Sequence, residues 1–143
     1  MADVVDLIEQ DHRAVERLFG QFEASNDPAI AEQICEELTT HTRAEESAVY
    51  SVFRARLRDG PELIGEAESE HEQARHLIGR VRKTTDSDHL ATVMVELKEA
   101  IQHHVREEES EILPQARTEM SGAALAELAV QFEAAKREVA RAR

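Results

Sequence analysis

The sequence predicts an all-α protein, an antiparallel up-down four-helix bundle with an additional C-terminal helix. Apolar residues recur at alternating steps of three and four along five long segments. No segment alternates apolar and polar residues with period two, so β-strands are not expected. The chain has 143 residues, which suits one domain with a core of useful size.

Turn signals set the limits of the five predicted helices, at about residues 3–24, 29–58, 62–83, 88–113 and 122–141. The breaks are Asn26-Asp27-Pro28, Asp59-Gly60-Pro61, residues 84–88 and, more softly, Pro114 with Ser121-Gly122. Short connections between long helices favour antiparallel neighbours. We therefore predict a four-helix bundle over residues 1–118 and a C-terminal helix packed on it over residues 119–143.

Each segment carries one stripe that should face the core. In chain order the stripes are Val4, Ile8, His12, Val15, Phe19 and Phe22; Ile34, Leu38, His41, Glu45, Ala48 and Val52; Ile64, Ala67, His71, Ala74, Ile78 and Val81; Leu90, Val93, Leu97, Ile101, His104, Glu108 and Ile112; and Leu125, Leu128, Phe132, Ala135 and Val139.

The first four stripes contain polar groups where aliphatic side chains are normal: His12, His41, Glu45, His71, His104 and Glu108. A buried, ionised glutamate is costly unless it is paired or bound to a metal. Isolated examples of such residues are usually satisfied core histidines or helix-surface pairs. Four such elements in register, one on each helix and related by an internal repeat, favour a metal site.

An internal repeat relates the two halves of the chain. Asp11-His12 near the start of the first half corresponds to Glu70-His71 in the second half. His41-x3-Glu45-Glu46-Ser47 corresponds in the same way to His104-x3-Glu108-Glu109-Ser110. This twofold pseudo-symmetry is what a two-metal site inside a bundle would produce.

The spacing of the polar residues suits metal binding. A histidine and a glutamate four residues apart lie on one helix face, about 6 Å apart along the axis. Imidazole and carboxylate donors suit iron, manganese or zinc. Four histidines and two glutamates are too many ligands for one tetrahedral zinc ion, but suit two metals that share bridges and keep open positions.

At two of the three helix connections, the histidines of the joined helices are predicted to lie at the same level along the bundle axis. His12 and His41 lie at nearly equal distances along the chain from the turn at Asn26, and His71 and His104 do so from the turn at Asp86. At the middle connection, His41 and His71 are mismatched by about 12 Å if every residue is helical. Glu45 is better placed to meet His71. We expect an irregular stretch around residues 57–63 to make up the remaining difference in level.

These motifs resemble the hemerythrin-like, or HHE, cation-binding domains of bacteria, over residues 1–118. The resemblance rests on His12, His41-x3-Glu45, His71 and His104-x3-Glu108, together with the flanking strings Asp11–Val15 and His103–Pro114. It implies a bundle that holds two iron ions with an oxo or hydroxo bridge. The four histidines would be terminal ligands, and Glu45 and Glu108 would be bridging carboxylates.

The resemblance also implies a function. Members of the family bind dioxygen reversibly, respond to oxygen, nitric oxide or iron, or break down hydrogen peroxide. In the invertebrate oxygen carriers a further histidine follows the third-helix histidine by four residues, whereas this chain has Arg75 there and His76 one step further. This departure favours the bacterial type, and especially the actinobacterial hemerythrin-like proteins with catalase-like, peroxide-decomposing activity.

Three alternatives stay open at this point. A ferritin-like di-iron carboxylate site would use Glu9-x2-His12 and Glu68-x2-His71 with Glu45 and Glu108, and would leave His41 and His104 unused. An iron- or redox-sensing module would signal to a partner through the fifth helix. A structural bundle would bind no cofactor. Zinc or manganese could replace iron in the same ligand set.

Composition excludes several other classes. The net charge of −13 argues against partners such as nucleic acids or anionic membranes. No apolar run approaches the ~20 residues of a membrane span, and the acidic N-terminus does not resemble an export signal. A single cysteine, Cys35, fits a reducing environment, so we expect a cytoplasmic protein. The sequence leaves the oligomeric state open.

Four further residues have side chains that could take part in chemistry, but we predict that they lie outside the metal site. Tyr50 lies nine residues after His41, on the opposite face of a regular helix, where packing or exposure is expected. His76 and His103 are predicted on the surface. Cys35 should be a small buried apolar residue. In the acidic run 107–111, we expect Glu108 alone to turn inward.

Overall fold

A computed structural model describes residues 2–142 and confirms the all-α bundle. The α-helices are α1 (Val4–Ser25), α2 (Pro28–Ala44), α3 (Tyr50–Arg56), α4 (Gly60–Lys83), α5 (Ser87–Glu107), α6 (Leu113–Glu119) and α7 (Gly122–Arg141). Two π-helical turns, π1 (Glu45–Val49) and π2 (Glu108–Ile112), join α2 to α3 and α5 to α6. The four rods of the bundle are therefore α1, α2–π1–α3, α4 and α5–π2–α6. Residues 2–142 contain no β-strand.

Side-chain caps start the helices where the sequence predicts breaks. The Asp3 and Asp6 side chains form a capping box at the start of α1. Asp27 caps α2 ahead of Pro28, and Asp86 and Ser121 cap α5 and α7. Asn26 ends α1 with a φ of 55°, in the left-handed region that asparagine tolerates.

The middle connection is tighter than the sequence predicted. Only residues 57–59 lie outside a helix, and α4 begins at Gly60. A Cβ atom at Gly60 would clash with the backbone carbonyl oxygens of Phe53 and Arg54. This close approach requires glycine, and it fixes the height at which α4 starts beside α3.

The fourth rod continues past Pro114, so the predicted helix end at residue 113 is wrong. The π2 turn ends at Ile112, and Pro114 falls in the first turn of α6. Backbone N–H groups need no helical partner in a first turn, so proline is tolerated there. The rod reaches Glu119.

The buried side chains form two apolar clusters on either side of a polar layer. One cluster lies around Ile8, Tyr50, Ile64 and Phe132, and the other around Phe19, Ile34 and Leu97. Cys35 lies in the second cluster, where burial raises the pKa of its thiol to about 11. The buried histidines and glutamates form the polar layer between the clusters.

The C-terminal helix α7 packs against α1, α2 and π1. Phe132 is fully buried there, and its ring meets the His41 ring edge-on at 5.7 Å between centroids. The helix therefore reaches the polar layer directly. The domain boundary between residues 118 and 119 stays a prediction. None of the helices within residues 2–142 is both long enough and apolar enough to cross a bilayer.

Candidate metal centre

The polar layer brings together all six residues predicted to bind metal: His12, His41, Glu45, His71, His104 and Glu108. Every one of these side chains is buried, and both glutamates are fully shielded from solvent. Each rod of the bundle supplies one histidine, and the two rods with π turns also supply a glutamate. The internal repeat in the sequence thus becomes one compact cluster of donors.

The donor atoms fall into two groups of three. His12, His41 and Glu108 form one group, and Glu45, His71 and His104 form the other, with the donor atoms of each group within 4.8 Å of one another. The ring centroids of His12 and His41 are 5.3 Å apart, and those of His71 and His104 are 4.7 Å apart.

The two glutamates link the histidine pairs. Glu45 Oε1 lies 3.1 Å from His41 Nε2 and 3.2 Å from His71 Nε2. Glu108 Oε1 lies 3.0 Å from His12 Nε2 and 3.8 Å from His104 Nε2. Each carboxylate therefore faces one histidine of each pair, which is the position of a bridging ligand.

A second layer of acidic residues orients the four imidazoles. We refer to Asp11, Glu46, Glu70 and Glu109 as the outer carboxylates. The Nδ1 atoms of His41, His71, His104 and His12, respectively, lie 2.7, 2.7, 2.7 and 2.6 Å from them. Since an ionised carboxylate can only accept, each Nδ1 carries the proton. In the neutral imidazole, Nε2 then keeps its lone pair and can bind metal, as in the carboxylate–histidine–metal arrangement.

The outer carboxylates follow a simple rule in the chain that the sequence analysis missed. We refer to the six buried residues of the polar layer as the inner residues. Each outer carboxylate is the immediate neighbour of an inner residue in the chain, but contacts the histidine of a different rod. The pairs are Asp11-His12, Glu45-Glu46, Glu70-His71 and Glu108-Glu109. These pairs are part of the internal repeat, so the repeat contained the signal. Glu109 was predicted to be solvated, and that expectation is wrong because it accepts from His12.

Unsatisfied atoms show that the cluster fits a metal. Five buried side-chain polar atoms within residues 2–142 have no hydrogen-bond partner. Four of them belong to this cluster: His12 Nε2, His41 Nε2, Glu45 Oε2 and Glu108 Oε1. Buried donors and acceptors without partners are destabilising. Cations bound at these nitrogen and oxygen atoms would satisfy them, and the donor set suits iron, manganese or zinc.

The electrostatics of the cluster also favour cations. Burial alone would lower the histidine pKa values, but Glu108 and Glu109 raise the pKa of His12 to about 9. Glu45 and Asp11 raise the pKa of His41 to about 10. Burial alone would raise the pKa of Glu45, but the His41 and His71 imidazoles hold it well below its usual range. The surrounding carboxylates therefore stabilise positive charge inside the bundle.

Tyr50 lies in the centre, and the prediction that it would face away is wrong. Its hydroxyl donates to Glu108 Oε2 and lies 3.3 Å from both Glu45 Oε1 and His71 Nε2. The π1 turn explains the error, because it places one extra residue between Glu45 and Tyr50 and shifts the buried face. Val49, Tyr50 and Phe53 are fully buried, whereas the predicted stripe residues Ala48 and Val52 are only partly buried.

Burial raises the pKa of Tyr50 well above its usual value, and the charges of Glu108 and Glu45 act in the same direction. The phenol is thus held as a proton donor inside the cluster. No spacing rule for a regular α-helix could have placed it there.

The other residues considered in the sequence lie outside the inner cluster. Arg75 pairs with Glu46, with Nη2 3.0 Å from Oε2, and His76 is exposed. His103 is on the surface as predicted. Glu68 forms an ion pair with Arg54, away from the inner cluster, which disfavours the ferritin-like arrangement.

Comparison with known proteins agrees with this geometry. The model of the hemerythrin HHE cation-binding domain family matches residues 3–116. The chain belongs to this family. The matched range includes all six inner residues and all four outer carboxylates. The match confirms the resemblance inferred from the sequence.

Two curated relatives of this hemerythrin-family chain cover most of its length. A DNA nickase from Nostoc sp. (strain PCC 7120) is 28% identical over 96% of this chain, and an uncharacterized hemerythrin-like protein from Schizosaccharomyces pombe is 26% identical, also over 96%. The chain spans 40% of the length of the first protein and 70% of the second. No solved structure matches the chain.

Proposed function

We propose that the chain is a non-haem di-iron protein that turns over a small oxidant, with hydrogen peroxide disproportionation as its activity. The observation that carries this proposal is the convergence of four histidine Nε2 atoms and two buried carboxylates, with four of these donor atoms unsatisfied by the protein. Dioxygen and nitric oxide suit the same ligand set. The peroxide activity is favoured by the absence of a histidine at the position of Arg75.

The arrangement of donors supports a pair of ions. His12 and His41 would hold one ion, and His71 and His104 the other. Glu45 and Glu108 would bridge them, since each faces one histidine of each pair. When bound, two iron ions supply and take back the two electrons that convert two peroxide molecules into two water molecules and one dioxygen.

The protein's own groups would control protons around the site. The Tyr50 hydroxyl donates to Glu108 and lies against Glu45 and His71, so it can give a hydrogen bond to a ligand held between the two histidine pairs. The outer carboxylates keep the imidazole protons on Nδ1, away from the reacting side. The apolar clusters above and below exclude bulk water.

A groove between α1 and α5 supports access for small molecules. It has a volume of about 250 Å³ and is lined in part by Val15, Ile101 and Val105. Val105 directly follows His104, and Val15 lies one turn from His12. All three side chains are buried and line the groove, so we expect that only small oxidants would pass them.

Oxygen release from hydrogen peroxide tests the activity directly. The iron-loaded protein should evolve dioxygen in an oxygen electrode, and His41→Ala should not, because it removes a ligand. His76→Ala removes an exposed histidine and should behave like the unmodified protein. Absence of oxygen evolution from protein with a full complement of iron would overturn the proposed activity.

A sensing role is the second candidate, and one observation favours it. Lys136 of α7 lies 2.7 and 2.8 Å from the two Asp11 oxygens, and Asp11 holds His41. Metal loss could therefore be transmitted to α7, the route a sensor would need. Such a module would lack peroxide turnover, but its α7 amides would exchange hydrogen faster after metal removal.

The nickase activity named for the Nostoc protein does not suit this chain. The net charge of this chain, −13, opposes approach to a phosphate backbone. The chain also spans 40% of that protein, so the named activity belongs to a much longer polypeptide.

A further inference from the structure

Three of the four outer carboxylates have a permanently charged partner. Lys136 binds Asp11 at 2.7 Å, Arg13 Nη2 binds Glu109 at 2.6 Å, and Arg75 Nη2 binds Glu46 at 3.0 Å. These cations come from different helices, but each contacts a carboxylate that orients a buried imidazole. Each balances the charge of a carboxylate that also accepts a hydrogen bond from a buried histidine.

Glu70 is the exception among the outer carboxylates. Within residues 2–142 it forms no ion pair with lysine or arginine. Its Oε1 lies 2.7 Å from His104 Nδ1, and its Oε2 lies 3.2 Å from Nε2 of His103. The same His103 nitrogen lies 3.3 Å from Glu107 Oε1. Instead of a lysine or arginine, Glu70 therefore has an imidazole nitrogen that lies between two carboxylates.

One imidazole proton cannot satisfy both of these carboxylates. A ring nitrogen carries at most one hydrogen, so His103 Nε2 cannot donate a good hydrogen bond to each of them. The three donor groups lie within 4.8 Å of one another. Nitrogen and oxygen ligands about 2.1 Å from a metal ion are about 3.0–3.4 Å from each other. The observed separations of 3.2 and 3.3 Å match that spacing.

We propose that Glu70, His103 and Glu107 form an outer site for a single divalent cation, separate from the buried centre. One imidazole and two carboxylates suit zinc, iron(II) or manganese(II). The side chain of His103 is 55% exposed, so an ion can enter from solvent without opening the bundle. This ion takes the role that Lys136, Arg13 and Arg75 play at the other three outer carboxylates.

The outer site connects to the buried centre through one side chain. Glu70 Oε1 accepts a hydrogen bond from His104, and Glu70 Oε2 faces the outer site. An ion at the outer site draws charge from the carboxylate that orients His104. Its occupancy should therefore shift the absorption spectrum of the metal-loaded centre.

Zinc binding to the metal-loaded protein tests the outer site. After a brief wash with a chelator, the protein is dialysed against Zn²⁺ and its metals are counted by mass spectrometry. The unmodified protein should gain one Zn²⁺ per chain that is absent in His103→Lys. The lysine supplies a permanent cation, as at the other three positions, and leaves the buried ligands unchanged. Glu107→Gln should lose the same ion without adding a charge.

His89→Ala provides the matched control, because His89 is also exposed and has a carboxylate neighbour, Asp86, at 3.3 Å. It should retain the additional Zn²⁺. Equal zinc counts in the unmodified protein and in His103→Lys would overturn the outer site. This test is independent of the di-iron proposal. A protein without iron at its centre that still binds one Zn²⁺, and loses it in His103→Lys, would overturn the di-iron proposal and support the outer site.

Discussion

The four outer carboxylates determine how the imidazoles face the centre. Each one holds the Nδ1 proton of a histidine at 2.6 or 2.7 Å. Without that hydrogen bond, the imidazole could rotate or place its proton on Nε2, where a metal would bind. The inner residues supply the donor atoms, and the outer carboxylates supply their orientation.

Replacing Glu46 with glutamine should therefore weaken metal binding. The amide keeps the shape but loses the charge that pairs with His71 and Arg75. Changes of this kind typically cost about 10–100-fold in metal affinity. Competition with a chromophoric chelator measures the change. Glu37→Gln, an exposed position on α2, is the matched control, and equal affinities for the two variants would contradict the orienting role.

Tyr50→Phe should act differently on the metal-free and metal-loaded protein. Without metal, the change leaves the buried Glu108 oxygen without its phenol donor, a loss of about 1–3 kcal/mol in the free energy of unfolding. With metal, cations compensate for that lost donor, so the loss should be smaller. Urea unfolding of both forms measures the difference. An equal loss in the two forms would show that bound cations do not replace the phenol as the partner of Glu108.

The sequence was sufficient to predict that the inner residues cluster, but not to predict their surroundings. His12, His41, His71 and His104 stood out because polar groups on an apolar stripe need a partner. Tyr50 could not be placed, since the face it occupies depends on the π1 turn. The sequence has no simple signal for such a turn, although both π turns begin with the same residues, Glu-Glu-Ser.

At the scale of the helices, the connection between α3 and α4 sets the height of His71. The predicted mismatch at this connection is resolved because Glu45, rather than His41, meets His71, at 3.2 Å. The three non-helical residues 57–59 and the close packing of Gly60 fix the start of α4. The starts of α2, α5 and α7 could be predicted well, since Asp27, Asp86 and Ser121 cap these helices at the expected breaks.

Gly60→Ala should therefore destabilise the bundle. The added Cβ would meet the carbonyl oxygens of Phe53 and Arg54, which are backbone atoms and cannot move alone. Overpacking of this kind typically costs about 1–3 kcal/mol.

Gly65→Ala, in the same helix, is the matched control. No atom lies within 4 Å of its added Cβ, so alanine should stabilise α4 by about 0.5–1 kcal/mol. Thermal unfolding of both variants measures the contrast, and a Gly60→Ala protein as stable as Gly65→Ala would contradict the close approach.

For the protein as a whole, we expect the metal-free form to lose stability as pH rises. The pKa values of His12 and His71 are raised to about 9, and that of His41 to about 10, from an unfolded value of 6.5. A raised pKa contributes stability that is fully present below pH 6.5 and is lost as pH passes through about 9 to 10.

Thermal unfolding between pH 6 and pH 10 checks this expectation in chelator-treated protein. The midpoint should fall by several degrees over that range. The metal-loaded protein should show a weaker dependence, because metal-bound imidazoles carry no second proton. A flat profile for the metal-free protein would contradict the charged cluster.

We propose that four imidazoles and two carboxylates hold a pair of iron ions. Iron analysis of the purified protein, with an absorption spectrum before and after peroxide, decides whether they do. We expect about two iron ions per chain, bands between ~300 and 400 nm that respond to peroxide, and loss of both iron and bands in His41→Ala. A colourless, iron-free protein would contradict the claim. So would a His41→Ala variant that keeps its iron, the result expected of a ferritin-like site.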